Sequence, residues 1–296
     1  MPLLIDTLSE PAFEIVEPGR TVAPVIFNSP HSGARYPASF LASTRLDPLS
    51  LRRSEDAFVD ELFLSAVNSG APLMRAHFPR AFLDVNREPY ELDPRMFEGR
   101  LPPNANTRSL RVAGGLGTIA RIVGDAQEIY DRRLPVEEAI QRIETLYKPY
   151  HQMLGRLLAR THARFGSVIL VDCHSMPSLG ASKEERNRAD IVLGDRYGTS
   201  CASAVLDMAE VCLRGLGFSV ARNRPYAGGY ITEHYGAPAA GAHTLQVEIN
   251  RGLYMDEKRH EKTAGFSVLS EQLAIFVEQL IAFAGAEMLV RRAAAE

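Results

Sequence analysis

Val168-Ile-Leu-Val171 is a short aliphatic run that stops abruptly at the polar segment Asp172-Cys-His-Ser175. A β-branched, aliphatic run of this length reads as a buried strand. Open α/β sheets place their chemistry at the carboxyl ends of such strands. Pro24-Val-Ile-Phe-Asn-Ser-Pro-His31 repeats the pattern: apolar, then polar, then histidine. Two strands that each deliver one imidazole to the same sheet edge would make half of a zinc site.

The rest of the chain supplies a sheet for those strands. Strands are expected at Phe13–Val16, Val22–Asn28, Pro72–His77, Ala81–Val85, Val168–Asp172, Ile191–Gly194, Phe218–Arg222 and Thr244–Asn250. Helical periodicity covers Asp56–Asn68, Val136–Phe165, Ser200–Leu216 and Asp256–Ala284, with a kink or break expected at Pro149. Strands alternating with long helices indicate an α/β fold: a mixed, mainly parallel sheet flanked by helices, read here as one domain over 1–296. Four prolines and interspersed charges make Glu88–Asn106 a surface loop, a candidate lid or pocket wall.

A net charge of −3 gives no electrostatic reason to expect nucleic acid or an anionic membrane as partner. No apolar stretch is read as approaching the roughly 18 to 20 residues that span a bilayer, and the N-terminus lacks a signal-peptide pattern. Cys173, Cys201 and Cys212 are odd in number and form no C-x-x-C pair, which argues against a disulfide framework or a Cys-rich zinc site. A reduced, cytoplasmic setting fits. The oligomeric state is left open.

Alternation in Thr244-Leu-Gln-Val-Glu-Ile-Asn250 puts Gln246, Glu248 and Asn250 on one face. A carboxylate inside a strand is costly unless paired or functional, so Glu248 is either half of a buried ion pair with Arg251 or Arg87, or a working acid. Taken alone, His31 and His174 each read as an ordinary loop histidine. Together they share a position after an apolar strand and a following serine, and Asp172 could orient the His174 ring. A catalytic zinc takes three protein ligands and leaves one position for water. The third ligand is expected to be an acid, with Asp56 preferred over its neighbour Glu55. The competing role for Asp56 is an N-cap of the helix that follows.

His31 in Ser-Pro-His-Ser-Gly, Asp56 in Glu-Asp-Ala-Phe-Val-Asp-Glu-Leu, and Asp84-Val-Asn-Arg87 resemble the N-formylglutamate amidohydrolase family. So do Ile129-Tyr, Pro149-Tyr-His151, Asp172-Cys-His-Ser175, Gly228-Gly-Tyr-Ile-Thr232 and Gln246-Val-Glu-Ile-Asn250, in order from about Val25 to Asp256. The resemblance implies a zinc-carboxypeptidase-like hydrolase with one zinc ion. It implies His31, Asp56 and His174 as metal ligands and Glu248 as general base. The wider zinc carboxypeptidases carry an acidic ligand three residues after the first histidine; here that position is Ala34, so the acid must come from elsewhere.

The implied reaction is hydrolysis of N-formyl-L-glutamate, or of another N-acyl amino acid or γ-glutamyl bond. A small dicarboxylate substrate calls for arginine. Arg87 leads, followed by Arg121 and then by Arg222 and Arg224, with Asn86 and Thr232 as hydrogen-bonding candidates. His234 and His243 are read as structural. Gly198-Thr-Ser-Cys-Ala202 only loosely imitates the serine-hydrolase elbow, and Ser200 is expected to cap a helix instead. A ligand-binding protein without chemistry is the remaining alternative. The joint presence of both histidines and Glu248 argues against it.

Overall fold

The computed structural model describes residues 11–178 and 189–293. Its centre is a seven-stranded sheet. The strands are β1 (Phe13–Val16), β2 (Val25–Ser29), β3 (Leu73–Ala76), β4 (Val168–Met176), β5 (Ile191–Gly194), β6 (Val220–Arg222) and β7 (Ala242–Asn250). Their spatial order is β1-β3-β2-β4-β7-β5-β6. Pairings β2/β3, β2/β4, β4/β7 and β5/β6 are parallel, and β5 meets β7 antiparallel. The expected mixed, mainly parallel α/β sheet is what forms. All nine residues of β4 are buried, polar ones included, as a strand covered on both faces requires.

Packing divides the chain into two compact units. The first comprises residues up to Glu14, Pro30–Ala57 and Ala76–Leu154. It is rich in short helices and loops around an aromatic cluster. Arg142 is buried there, its guanidinium 3.9 Å from the Phe82 ring centroid. Nη1 of Arg142 donates to the Phe82 carbonyl at 3.0 Å and to the Tyr130 hydroxyl at 2.8 Å. The second unit, Ile15–Ser29, Phe58–Arg75 and the chain from Gly155 on, holds most of the sheet and the helices Ser203–Gly215 and Gly265–Ala293.

Several expectations need correction. Ala81–Val85 is not a strand: its apolar side chains are buried, but the backbone runs through turns. The helix expected over Asp56–Asn68 is two short pieces, Val59–Leu62 and Ser65–Asn68. It starts only after Phe58, which sits at φ 64°, a left-handed conformation costly for a bulky side chain. Pro149 does not break its helix. A π-turn at Ile143–Tyr147 links Val136–Arg142 to Lys148–Phe165. The wider turn takes up the carbonyl of Thr145, which a proline four residues on would otherwise hit.

The segment Glu88–Asn106 is tied down rather than loose. Glu91 bridges to Asn106, Thr118 N–H donates to the Glu91 carbonyl at 2.9 Å, and Leu92, Asp93, Met96 and Phe97 are buried. The last helix starts at Gly265, later than expected, because Met255–Asp256 and Glu261–Lys262 pair as a short ribbon. By length and composition Gly265–Ala286 is apolar enough to cross a membrane, with a mean hydropathy of 1.4. Leu269, Leu273, Phe276, Val277 and Leu280 nonetheless recur at core-facing spacing and are buried, while Glu271 and Glu278 are exposed.

Candidate active site

His31 lies two residues beyond β2, where the chain bends at Pro30-His31 and then passes close to the His77–Phe78 backbone at Gly33. A Cβ on Gly33 would stand 2.2 Å from the Phe78 carbonyl oxygen, so only glycine permits this crossing. The bend brings Asp56 against His31 by three links. The Asp56 N–H donates to the His31 carbonyl at 3.0 Å, and Ser32 Oγ donates to the Asp56 carbonyl at 3.0 Å. Asp56 Oδ2 is 3.3 Å from His31 Nδ1. Asp56 is therefore not a helix cap; that helix is preceded by Phe58 and has no side-chain cap.

The other ring nitrogen of His31, Nε2, is 2.8 Å from Asp84 Oδ1. Asp84 is itself held by the Asn86 N–H at 2.8 Å and by Arg80 Nε at 2.9 Å, with Arg87 Nε at 3.6 Å. Burial pushes the Asp84 carboxyl up, but Arg80, Arg87 and His31 outweigh it and hold the group well below the usual carboxylate range. Asp84 is thus a firmly ionised partner for the imidazole. Its motif was visible in the sequence, but its role was not, because the partner lies 53 positions away.

His174 has the same accessory. Its Nε2 is 2.9 Å from Asp172 Oδ2, and Asn28 Nδ2 donates to Asp172 Oδ1 at 2.9 Å. The parallel register sets Asn28 opposite Asp172, so all three side chains share one face of the sheet. Glu248 stands opposite His174 in the β4/β7 register, on that face too. Gln246 Nε2 donates to Glu248 Oε1 at 2.9 Å. Among the described residues, His31, Asp56 and His174 form a buried group that could hold a metal ion, with one ligand atom from each within 4.8 Å of the others.

Glu55, the alternative acid, is committed elsewhere. It accepts from the Tyr36 hydroxyl at 2.6 Å and from Arg52 Nε at 3.1 Å. Arg87 is nearly buried, its Nε on the Leu116 carbonyl at 2.9 Å and its Nη1 on the Asn86 carbonyl at 2.8 Å. Burial lowers its pKa to about 10, against the opposing pull of Asp84. Asn86 is buried beside Asp84.

The other expected substrate contacts lie differently. Arg121 pairs with Asp93 at 3.0 Å and Glu128 at 3.1 Å. Arg222, on β6 at the end of the sheet order, pairs with Asp207 and Glu210 of the helix Ser203–Gly215. Thr232 is fully buried, its hydroxyl 3.4 Å from Gln246 Oε1.

Several histidine and serine readings can also be placed. His243 sits near the start of β7, its Nδ1 accepting from the Ala202 N–H at 3.3 Å, and His234 stacks on Tyr230 at 4.9 Å. Ser200 is no helix cap: its hydroxyl donates to the Thr244 carbonyl at 3.0 Å, and the helix begins at Ser203 without a side-chain cap. Cys173 is buried, and burial pushes its thiol pKa well up, as for a packing residue.

The N-formylglutamate amidohydrolase family model matches residues 23–255. N-formylglutamate deformylases of Pseudomonas aeruginosa and Pseudomonas putida are each 27% identical to the chain. The first match spans 83% of this chain and 87% of that protein, the second 79% and 82%. The solved N-formylglutamate amidohydrolase of Ralstonia eutropha is 37% identical, with a TM-score of 0.86 over 92% of this chain and 98% of that one. A solved Agrobacterium tumefaciens protein, 18% identical, shares the fold at TM-score 0.67 over 92% and 95%. The chain therefore belongs to the N-formylglutamate amidohydrolase family and is a hydrolase acting on an amide.

Proposed function

We propose that the chain hydrolyses N-formyl-L-glutamate to formate and L-glutamate, with one zinc ion held by His31, Asp56 and His174 and with Glu248 as general base. The observation that carries the proposal is the grouping of those three ligand atoms, with Glu248 in register opposite His174.

The donor set suits the ion. Two imidazole nitrogens and a carboxylate oxygen are the donors a zinc ion would take, and His31 Nδ1 and Asp56 Oδ2 already stand 3.3 Å apart. Each imidazole carries a carboxylate on Nε2, Asp84 for His31 and Asp172 for His174. That arrangement leaves Nδ1 as the ligand atom and raises its basicity. A divalent ion held there would lower the pKa of water to about 7 and polarise the amide carbonyl.

Glu248 then accepts a proton from the attacking water as the new C–O bond forms at the formyl carbon. It returns that proton to the nitrogen as the C–N bond breaks. Water's oxygen leaves in formate, and the amine leaves as L-glutamate. Arg87 and Asn86, both beside Asp84, are the proposed contacts of a substrate carboxylate. The three cysteines are buried thiols, in keeping with a reducing, cytoplasmic setting.

Release of the free amino acid, measured for N-formyl-L-glutamate, N-acetyl-L-glutamate, N-formyl-L-aspartate and a γ-glutamyl dipeptide, tests the substrate. N-formyl-L-glutamate is expected to give the highest kcat/KM. A γ-glutamyl peptide or an N-acetyl compound turned over faster would replace it. Glu248→Gln is expected to stay folded and keep its metal while losing turnover by orders of magnitude; near-normal turnover would remove Glu248 from the mechanism.

A further inference from the structure

We infer that Gln246 is a positioning residue for the reaction: its side-chain amide holds one oxygen of Glu248 and so decides which oxygen handles the proton. The inference rests on the Glu248 reading above. Gln246 and Glu248 are two apart on β7 and share a face. Gln246 is 4% exposed, so its amide must find partners inside the protein.

The orientation of that amide follows from its neighbours. The Gly229 N–H lies 2.8 Å from Gln246 Oε1, and a backbone N–H can only donate, so the atom facing it is the oxygen. Thr232 Oγ1 donates to the same oxygen at 3.4 Å. The amide nitrogen is thereby aimed the other way, to Glu248 Oε1 at 2.9 Å. A side-chain amide can rotate to exchange its two ends; here the exchange would set N–H against N–H at Gly229.

Two glycines let the anchoring backbone come this close. Gly194 stands opposite Gln246 in the antiparallel β5/β7 register. A Cβ there would lie 2.7 Å from the carbonyl carbon of Ala227 and 2.9 Å from the Gly228 nitrogen. Gly228 has φ +125°, and a Cβ on it would meet Thr232 Cγ2 at 2.8 Å. With both side chains absent, the 227–229 backbone lies against the sheet and its N–H reaches Gln246.

The chemical consequence is a division of labour between the two oxygens of Glu248. Oε1 is an acceptor for Gln246 throughout, so the proton taken from water is carried on Oε2 and leaves from Oε2. A carboxylate held at one oxygen also keeps its reach toward substrate fixed, which is the condition for efficient proton transfer.

A double-mutant cycle on the metal-loaded enzyme tests this, with N-formyl-L-glutamate as substrate. Gln246→Leu is expected to lower kcat roughly 10- to 150-fold, the range for loss of one hydrogen bond to an ionised group, with KM and bound metal kept. Gln246→Met keeps the length of the side chain but not the amide donor, and is expected to show a similar loss should the leucine variant fold poorly. In the Glu248→Gln background, Gln246→Leu is expected to cost nothing further. Equal losses in both backgrounds, or full activity in a folded Gln246 variant, would overturn the positioning role. Near-normal Glu248→Gln activity would instead overturn the general-base reading beneath it, and the two failures are told apart because only the second leaves the Glu248→Gln single variant active.

Discussion

Asp84→Asn separates the tuning of His31 from the packing around it. The substitution keeps the side chain's volume and one oxygen that can face His31 Nε2, now 2.8 Å from Asp84 Oδ1, but removes the charge. Loss of a charged partner behind a ligating imidazole weakens metal binding roughly 10- to 100-fold, about 1.4–2.7 kcal/mol. The second effect is on folding. Arg80 and Arg87 lose their carboxylate, and breaking a fully buried pair costs about 3–5 kcal/mol. Arg80 is 27% exposed and Arg87 keeps two carbonyl acceptors, so the estimate falls to about 1–3 kcal/mol.

The pH dependence has a definite sign. Asp84 ionises in the native state well below its ordinary range, so its contribution is complete above the unfolded-state value near 4 and is lost as pH falls through the native value. The stability gap between wild type and Asp84→Asn, measured on metal-free protein, should therefore be flat from about pH 5 upward and close toward acid. Chelator competition gives the metal affinity, and urea unfolding from pH 3 to 8 gives the gap. A folded Asp84→Asn that binds metal within twofold of wild type would refute the argument that Asp84 tunes His31.

Other perturbations read separate parts of the structure. His174→Ala should sharply lower bound metal by elemental analysis and, because it strands the buried Asp172 carboxylate, also lower urea stability; unchanged metal stoichiometry in the folded variant would remove His174 from the ligand set. Gly33→Ala should shift the urea midpoint downward by an amount worth about 1–3 kcal/mol or more, because the three atoms nearest the new methyl, Phe78 O at 2.2 Å, the His77 carbonyl carbon at 2.5 Å and its oxygen at 2.7 Å, are all backbone. An unchanged midpoint would mean the crossing is looser than described. Arg142→Met keeps an apolar stem beneath Phe82 but strands the Phe82 carbonyl and Tyr130 hydroxyl. It should cost about 2–4 kcal/mol; a neutral result would deny these buried hydrogen bonds their weight.

Much of the sheet was legible because apolar alternation and side-chain direction are the same fact in a strand. The alternation put Gln246 and Glu248 on one face, and the two apolar runs located His31 and His174. The same signal misled at Ala81–Val85, where the side chains are buried but the backbone turns. Periodicity reports which side chains leave water, and several backbone paths can satisfy it. Glu55 and Asp56 were not separable by type or spacing. What separates them is the tether of the Asp56 backbone to His31 and Ser32, set against the hold of Tyr36 and Arg52 on Glu55.

The arginines were the least legible. A guanidinium's role depends on which carboxylates the fold brings near, and Asp93 and Glu128 for Arg121, or Asp207 and Glu210 for Arg222, lie 7 to 28 positions away. Asp84 and Gln246 were missed as orienting groups for a related reason: each acts on a neighbour, and a sequence shows a residue's type without its partner.

Bound metal and catalysis measured on one sample test the central claim most directly. Elemental analysis of the purified protein should find close to one divalent ion per chain. Formate release from N-formyl-L-glutamate should vanish on chelation and return when the ion is restored. Undiminished formate release from metal-free protein would contradict the account.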